Sequence, residues 1–323
     1  MSKQPLIDQL DQAVTAILTD PAGEPPAVDA SLVDLLQLAR DLRGLPAPGF
    51  KAQLRSDLAS ESERKTSMST ETSTAKAVRY RPGFRSVTPY VLPPSAAFID
   101  FAKEGLGAEQ TFRADSSPTS FHAELRIGNS MMMVGVGANR TTPSAFILYV
   151  PSADEGYQRS LKAGAVSLEP VEEEYGDRFA VVRDSAGNDW CISTHLGANY
   201  IPEHGQTLMT CFRPDGAAKF LGFIQSAFGA EILQRFDVGG RVPWASARIG
   251  NSVIGISDPG NHGWAAPTRS MIYLYVADSD ATYDQALRAG AESIHPPANQ
   301  PYGDRNGAVK DAWGNEWYMS TPL

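Results

Sequence analysis

From residue 85 onward the apolar positions change period in a fixed order. Val87–Leu92 alternates like a strand, and Ser95–Glu104 places Ala97, Phe98 and Phe101 on one helical stripe. Gln110–Arg113, Phe121–Ile127 and Met131–Val136 return to strand-like runs separated by turn residues. A second cycle follows: strand Ala145–Val150, helix Ala153–Ala163 closed by Gly164, then strands Val166–Glu169, Phe179–Arg183 and Asp189–Thr194. The pattern predicts βαβββ twice over.

The first 58 residues read differently. Leu6, Leu10, Ala13 and Ile17 fall at helical spacing, and Ser31 is placed to cap a second helix carrying Leu32, Leu35, Leu36, Ala39 and Leu42. Gly44 and Pro46 end it, and Phe50, Leu54 and Leu58 mark a third. Each stripe is one-sided, so these helices are expected to pack on one another, on the rest of the chain or on a partner. Residues 59–84 turn to Ser, Thr, Glu and Lys and read as a linker.

The remainder is a duplication. "IGNS" stands at Ile127–Ser130 and Ile249–Ser252, and "GAE" at Gly107–Glu109 and Gly229–Glu231, both offset by 122, with Thr88 set against Thr210 at the same offset. "LYV" recurs at an offset of 126, as does "AGA"; "YGDR" (Tyr175–Arg178, Tyr302–Arg305) and "D-x-x-G-N-x-W" (Asp184–Trp190, Asp311–Trp317) recur at 127. Offsets that hold within blocks and step between them indicate two homologous domains, over 85–198 and 205–323, and four βαβββ modules in an α+β chain.

The words "TPYV…FIDFAKEGLGAE", "HAELRIGNS", "YGDR" and "VRDSAGNDWCISTH", with "KFLGFIQSAFGAE", "ARIGNS" and "VKDAWGNEWYMST" in the second copy, resemble the vicinal oxygen chelate superfamily of glyoxalase I, bleomycin-resistance proteins and extradiol dioxygenases. The likeness is greatest to its PhnB-like branch. It implies that paired modules curl their sheets into a cup with helices on the convex side. It also implies metal ligands at cup-facing strand positions in metal-using members. The corresponding positions are Thr88, Met132 or Met133, Ala145 and Cys191 in one copy, and Thr210, Ile254 or Gly255, Met271 and Tyr318 in the other. None of them is His or Glu, so no cofactor is expected, with a divalent metal as the weaker alternative.

Chemistry-bearing candidates come from strand faces. His122, Glu124 and Arg126 alternate with the apolar Phe121, Ala123, Leu125 and Ile127, so the polar triplet should line the first cup. His122 and Glu124 could act as an acid/base pair, or join His195 around a metal. The bland alternative is charge pairing along the sheet. Cys191, with nearby His195, could line the same cup, and buried inert cysteine is the commoner case. The second copy replaces the triplet by Trp244, Ser246 and Arg248, and offers Phe212, Tyr273, Tyr318 and Trp264 as an aromatic lining for a flat or cationic organic ligand. YGDR reads as a structural tag that ties a loop to a sheet.

The net charge of −9 and pI near 5.1, with no basic stripe, argue against nucleic acid and anionic membrane as partners. No apolar run spans a membrane, the N-terminus is too polar for a signal peptide, and two cysteines make no disulfide framework; a cytoplasmic protein is expected. The expected partner is a small-molecule ligand, with the N-terminal helices available for a homodimer or a protein partner. Two functions remain open: binding without turnover, or a lyase, isomerase or oxygenase reaction in the first cup.

Overall fold

The computed structural model describes residues 77–203, 205–260 and 266–323. The helices expected over 1–58, most of the expected linker and Trp264 lie outside the described residues. Within them the chain forms sixteen strands and four helices in four βαβββ modules. Module one is β1 (Val87–Val91), α1 (Ala97–Leu106), β2 (Glu109–Ser117), β3 (Ser120–Ile127) and β4 (Ser130–Val136). Module two is β5 (Ala145–Tyr149), α2 (Ala153–Lys162), β6 (Val166–Glu174), β7 (Asp177–Arg183) and β8 (Asp189–His195). Module three is β9 (Leu208–Phe212), α3 (Ala217–Phe228), β10 (Glu231–Val238), β11 (Arg241–Ile249) and β12 (Ser252–Ile256). Module four is β13 (Met271–Tyr275), α4 (Ser279–Arg288), β14 (Glu292–Asn299), β15 (Asp304–Lys310) and β16 (Glu316–Pro322).

Strands β2 and β6 run to nine residues each, longer than their short apolar runs predict. They are mostly exposed, and pairing with β3 and β7 extends them beyond any hydrophobic pattern.

The modules pair crosswise. One eight-stranded sheet has the order β14-β15-β16-β13-β1-β4-β3-β2, joining modules one and four; the other, β10-β11-β12-β9-β5-β8-β7-β6, joins modules two and three. The seams are antiparallel, β1 on β13 and β5 on β9. The helix-side cores follow the copies instead. Phe98, Phe101, Leu125, Met132, Phe146, Trp190 and Ile192 share one core, from modules one and two. Phe212, Phe220, Ile254, Leu274, Trp317 and Met319 share the other. Copies therefore share cores while sheets cross between copies, and the described residues belong to one compact unit.

The repeated words explain how. In "IGNS", Asn129 Oδ1 accepts from the Thr207 amide (2.9 Å) and Ser130 Oγ from the Leu208 amide (3.1 Å). Asn251 Oδ1 accepts from the Ser86 amide (2.8 Å) and Ser252 Oγ from the Val87 amide (2.9 Å). Each turn thus clasps the entry of the other copy's first strand. Gly128 and Gly250 sit at φ +55° and +57°, and a Cβ at either would collide with the hydroxyl of Thr207 or Ser86, so only glycine fits. In "D-x-x-G-N-x-W", buried Asp184 accepts from the Ala186 and Asn188 amides, Asn188 Nδ2 and Trp190 Nε1, all within 3.0 Å. Asp311 repeats the pattern with Trp313, Asn315 and Trp317. Both turns lock a large indole into the core.

The clasps also correct the repeat register at the first strand. Val87 and Leu208 occupy equivalent places, as do Thr88 and Met209, facing Tyr273 and Ile147 across the seams. The offset there is 121, from 87 to 208, and Thr210 therefore lies on the helix side with Pro89. A one-residue slip exchanges the faces of a strand.

Candidate functional site

Opposite the helices each sheet presents a second face, here called the cup face. On the first sheet it collects Tyr90 of β1, His122 and Glu124 of β3, Met131 and Met133 of β4, Tyr273 and Tyr275 of β13 and Tyr318 of β16. Alternation puts them there because Leu125, Met132, Val134, Leu274 and Trp317 point into the helix-side cores.

Glu124 is the chemical centre of this cup and is 4% exposed. The Arg81 guanidinium lies 2.6 Å from its Oε1, and His122 Nε2 lies 3.6 Å away. Burial alone would raise the Glu124 carboxyl; His122 and Arg81 outweigh it and hold the group below the usual carboxylate range. His122 Nδ1 sits 3.1 Å from the Tyr90 hydroxyl, with the rings edge to face. The Tyr273 hydroxyl donates to Asp304 Oδ2 (2.6 Å), which also accepts from Ser320 Oγ (2.8 Å). Tyr318 donates to Glu316 Oε2 at 3.0 Å, and Arg140 pairs with the same carboxylate. Burial raises all the tyrosine hydroxyls on this face, that of Tyr318 to about 12, so they serve as neutral donors.

The second sheet builds a different cup. Tyr149, Met209 and Val253 pack with Ile147, Ile201, Leu233 and Trp244. Trp244 lies against β12, where a Cβ at Gly255 would come within 2.7 Å of its ring and 3.2 Å of Cys211 Sγ. Asp177 accepts from Ser193 Oγ (2.8 Å) and pairs with His195 Nδ1 (2.7 Å). Deeper in, Asp189 binds buried Arg213 (2.7 Å) and also Arg183 (2.7 Å). Burial pushes both the Cys191 and Cys211 thiols up, so neither is an activated nucleophile.

Several sequence expectations change here. The cup assigned to the first copy is divided: His122 and Glu124 stay on the first sheet, while Cys191 and His195 belong to the second. A metal held by His122, Glu124 and His195 is thereby excluded, since His195 is tied to Asp177 in the other sheet. Tyr318 and Tyr273, assigned to the second copy's cup, complete the first sheet's cup alongside His122, and Trp244 stands apart from them. Phe212 is fully buried in the helix-side core, stacked on Trp317, because it falls on the opposite face of β9 from Met209 and Cys211. Arg126 and Arg248 share the cup-side parity of their strands, yet each pairs with an exposed cross-strand glutamate, Glu109 and Glu231, near the strand's end.

YGDR divides as well. Arg178 donates two hydrogen bonds to Asp154 at the start of α2, and Arg305 does the same to Asp280 in α4, so the arginines are structural but tie strand to helix rather than loop to sheet. The Asp residues instead face the cups. Asp177 and Asp304, Tyr90, Tyr149 and Tyr275 were missed by the pattern. Alternation along β1, β5 and β13 was a usable signal for the tyrosines, whereas Arg81 lies in a stretch read as linker and had none.

At the positions where the superfamily carries ligands, the register now places Thr88, Met133, Met271 and Tyr318 in one cup. Met209, Gly255, Ala145 and Cys191 fill them in the other. Thioether, hydroxyl and aliphatic groups do not fit a divalent metal that needs about three imidazole or carboxylate ligands. Among the described residues no three His, Cys, Asp or Glu side chains are grouped to hold an ion. No helix among them is long and apolar enough to cross a membrane.

A sequence model described as Glyoxalase/Bleomycin resistance protein/Dioxygenase superfamily matches residues 208–319. An uncharacterized protein of Mycobacterium bovis is 32% identical over 119 residues, which cover 34% of this chain and 78% of that protein. An uncharacterized protein of Mycobacterium tuberculosis H37Rv is also 32% identical over 119 residues, with 34% of this chain and 70% of that protein covered. Among solved structures, glyoxalase I from Zea mays superposes with a TM-score of 0.55 at 14% identity, covering 73% of this chain and 92% of that one. That likeness extends to the fold and, with crosswise modules and repeated turn words in both halves, the chain belongs to the glyoxalase/bleomycin resistance protein/dioxygenase superfamily.

Proposed function

We propose that the protein binds a small organic molecule on its cup faces without the metal used by many relatives of this fold, and that the principal site is the first cup. One observation carries the reading. Glu124 is a carboxylate buried to 4% exposure on a face otherwise lined by aromatic and thioether groups, and the equivalent residue in the other half is Ser246. Burying a charge is costly, and the fold does not require one there. The second cup, with Trp244 over Gly255, suits a flatter and less polar ligand.

Catalysis would require Glu124 or His122 to exchange protons with a substrate. Against the opposing effect of burial, His122 and Arg81 hold Glu124 ionised and weakly basic, which favours binding over turnover. The reading is tested by thermal-shift titration of small aromatic amines, carboxylates and phenols against the full chain, Glu124→Gln and Trp244→Ala. A saturable shift abolished by one variant, with the compound recovered unchanged, is expected. No saturable binder across the panel, or conversion of the compound that binds, overturns it.

A further inference from the structure

The segment before β1, residues 77–86, runs across the first cup. Val78, Tyr80 and Phe84 pack onto Met131, Met133, Tyr273 and Tyr275. Phe84 meets Tyr275 edge to face with centroids 5.8 Å apart, and Tyr80 meets the same ring at 6.3 Å. Arg81 lies 4.9 Å over the Phe84 ring and 2.6 Å from Glu124 Oε1. Both ends are fastened: Arg79 donates to the Pro322 carbonyl, and Arg85 donates to the Asn251 carbonyl at 3.0 Å.

The groups beneath this strap depend on Arg81. Glu124 Oε1 and Tyr275 Oη are buried, and both turn to the Arg81 guanidinium, which ion-pairs with Glu124. Tyr275 is only 1% exposed. A buried carboxylate oxygen and a buried hydroxyl whose partner is the strap's own cation mark capacity that the rest of the sheet leaves unfilled. What sits closest is a planar cation carried next to an aromatic ring, held against a wall of tyrosine and methionine. Such a wall favours cations, and a carboxylate at its base favours a donor fork such as guanidinium or amidinium.

We infer that the first cup is a recognition site for a small organic cation, a planar guanidinium- or amidinium-type group joined to an aromatic or apolar body, and that Arg81 and Phe84 occupy it in cis as a displaceable strap. The inference rests on the small-molecule-binding reading and names its ligand class. Entry requires the ligand to take Glu124 from Arg81, so apparent affinity is reduced by the closed fraction of the strap. No bond is made or broken; the strap exchanges one cation for another.

The test uses benzamidine as the cationic probe and benzoate as its anionic counterpart, titrated calorimetrically into the full-length chain. Arg81→Ala is expected to bind benzamidine about tenfold or more tightly than the unaltered protein, the gain being removed by adding Glu124→Gln. Benzoate is expected not to bind. Arg81→Gln, which keeps the length of the side chain, gives the same comparison should Arg81→Ala fail to fold. In the unaltered protein, saturating benzamidine is expected to speed amide exchange at residues 78–86. Equal benzamidine affinity with and without Arg81, affinity indifferent to Glu124, or unchanged exchange in the strap overturns the inference. Benzoate or an uncharged aromatic bound in the first cup overturns the cation assignment while leaving small-molecule binding intact. Silence of every panel compound at both cups is the separate failure of the parent reading.

Discussion

The two cups are built on equivalent strands, yet they share little of their lining. Position for position, His122 faces Trp244, Glu124 faces Ser246, Tyr318 faces Cys191, and Met133 faces Gly255. What they do share is the Asp of YGDR with the serine it holds: Asp304 with Ser320, Asp177 with Ser193. Around them the supporting parts repeat partner for partner: the crossed Asn–Ser clasps, the Asp–Asn–Trp turns and the Arg–Asp ties to the helices. Apart from that Asp–Ser pair, where the halves agree the residues satisfy backbone or indole donors or tie strand to helix. Where they disagree, they face the cup. That separation locates function more sharply than any single residue type, because a fold constrains the first group and leaves the second free.

The comparison breaks most visibly at the frame. Asp184→Ala and Asp311→Ala each strand four donors, three of them buried, and each should cost about 3 kcal/mol or more in urea denaturation, by similar amounts in the two halves. A large loss in one half with a mild one in the other would show that the equivalence is only geometric. Asn129→Ala and Asn251→Ala remove one clasp each, and about 1–2 kcal/mol is expected from either, again nearly equal.

The cups should differ where the frames agree. Because the folded-state value of Glu124 is depressed, its contribution is present above about pH 4.3, the ordinary glutamate value, and is lost as pH falls through the lower folded value. Glu124→Gln should therefore cost about 1 kcal/mol at pH 7, the partial exposure of Arg81 limiting the effect, and the difference should vanish at acid pH. Ser246→Ala, its counterpart, should show no such pH dependence. Denaturation midpoints across pH 3–7 would decide, and parallel profiles for the two variants would erase the distinction. The smallest effect is expected from Arg178→Ala, whose partners are exposed: the midpoint should stay within experimental scatter, as should that of Arg305→Ala.

Much of the fold was legible because its signals are local. The alternation of Phe121–Ile127 assigned every side chain of β3 to the correct face, and the offset ladder counted four modules before any contact was known. The βαβββ order followed from periodicity alone. The candidate site was legible only in part. His122 and Glu124 could be placed on a cup face, since strand parity decides that locally. Their neighbours could not: Tyr273, Tyr275 and Tyr318 stand roughly 150 to 200 residues away along the chain, and Arg81 sits in a stretch with no periodicity at all. The slip that set Thr88 against Thr210 arose because a single matched letter cannot define register, whereas two backbone amides held by Asn and Ser can.

The sequence by itself determined the modules, their duplication, their faces and the glycine turns, since these depend on side-chain period and backbone conformation within a few residues. Only the tertiary structure decided which module completes which cup. Hydrogen bonding across β1–β13 and β5–β9 joined modules one with four and two with three, while apolar burial kept each copy's helices together. Those two demands, edge pairing and core burial, are met by different neighbours, and no one-dimensional pattern records that choice. The same long-range pairing placed Arg81 over Glu124 and so turned a stretch that reads as linker into part of the site.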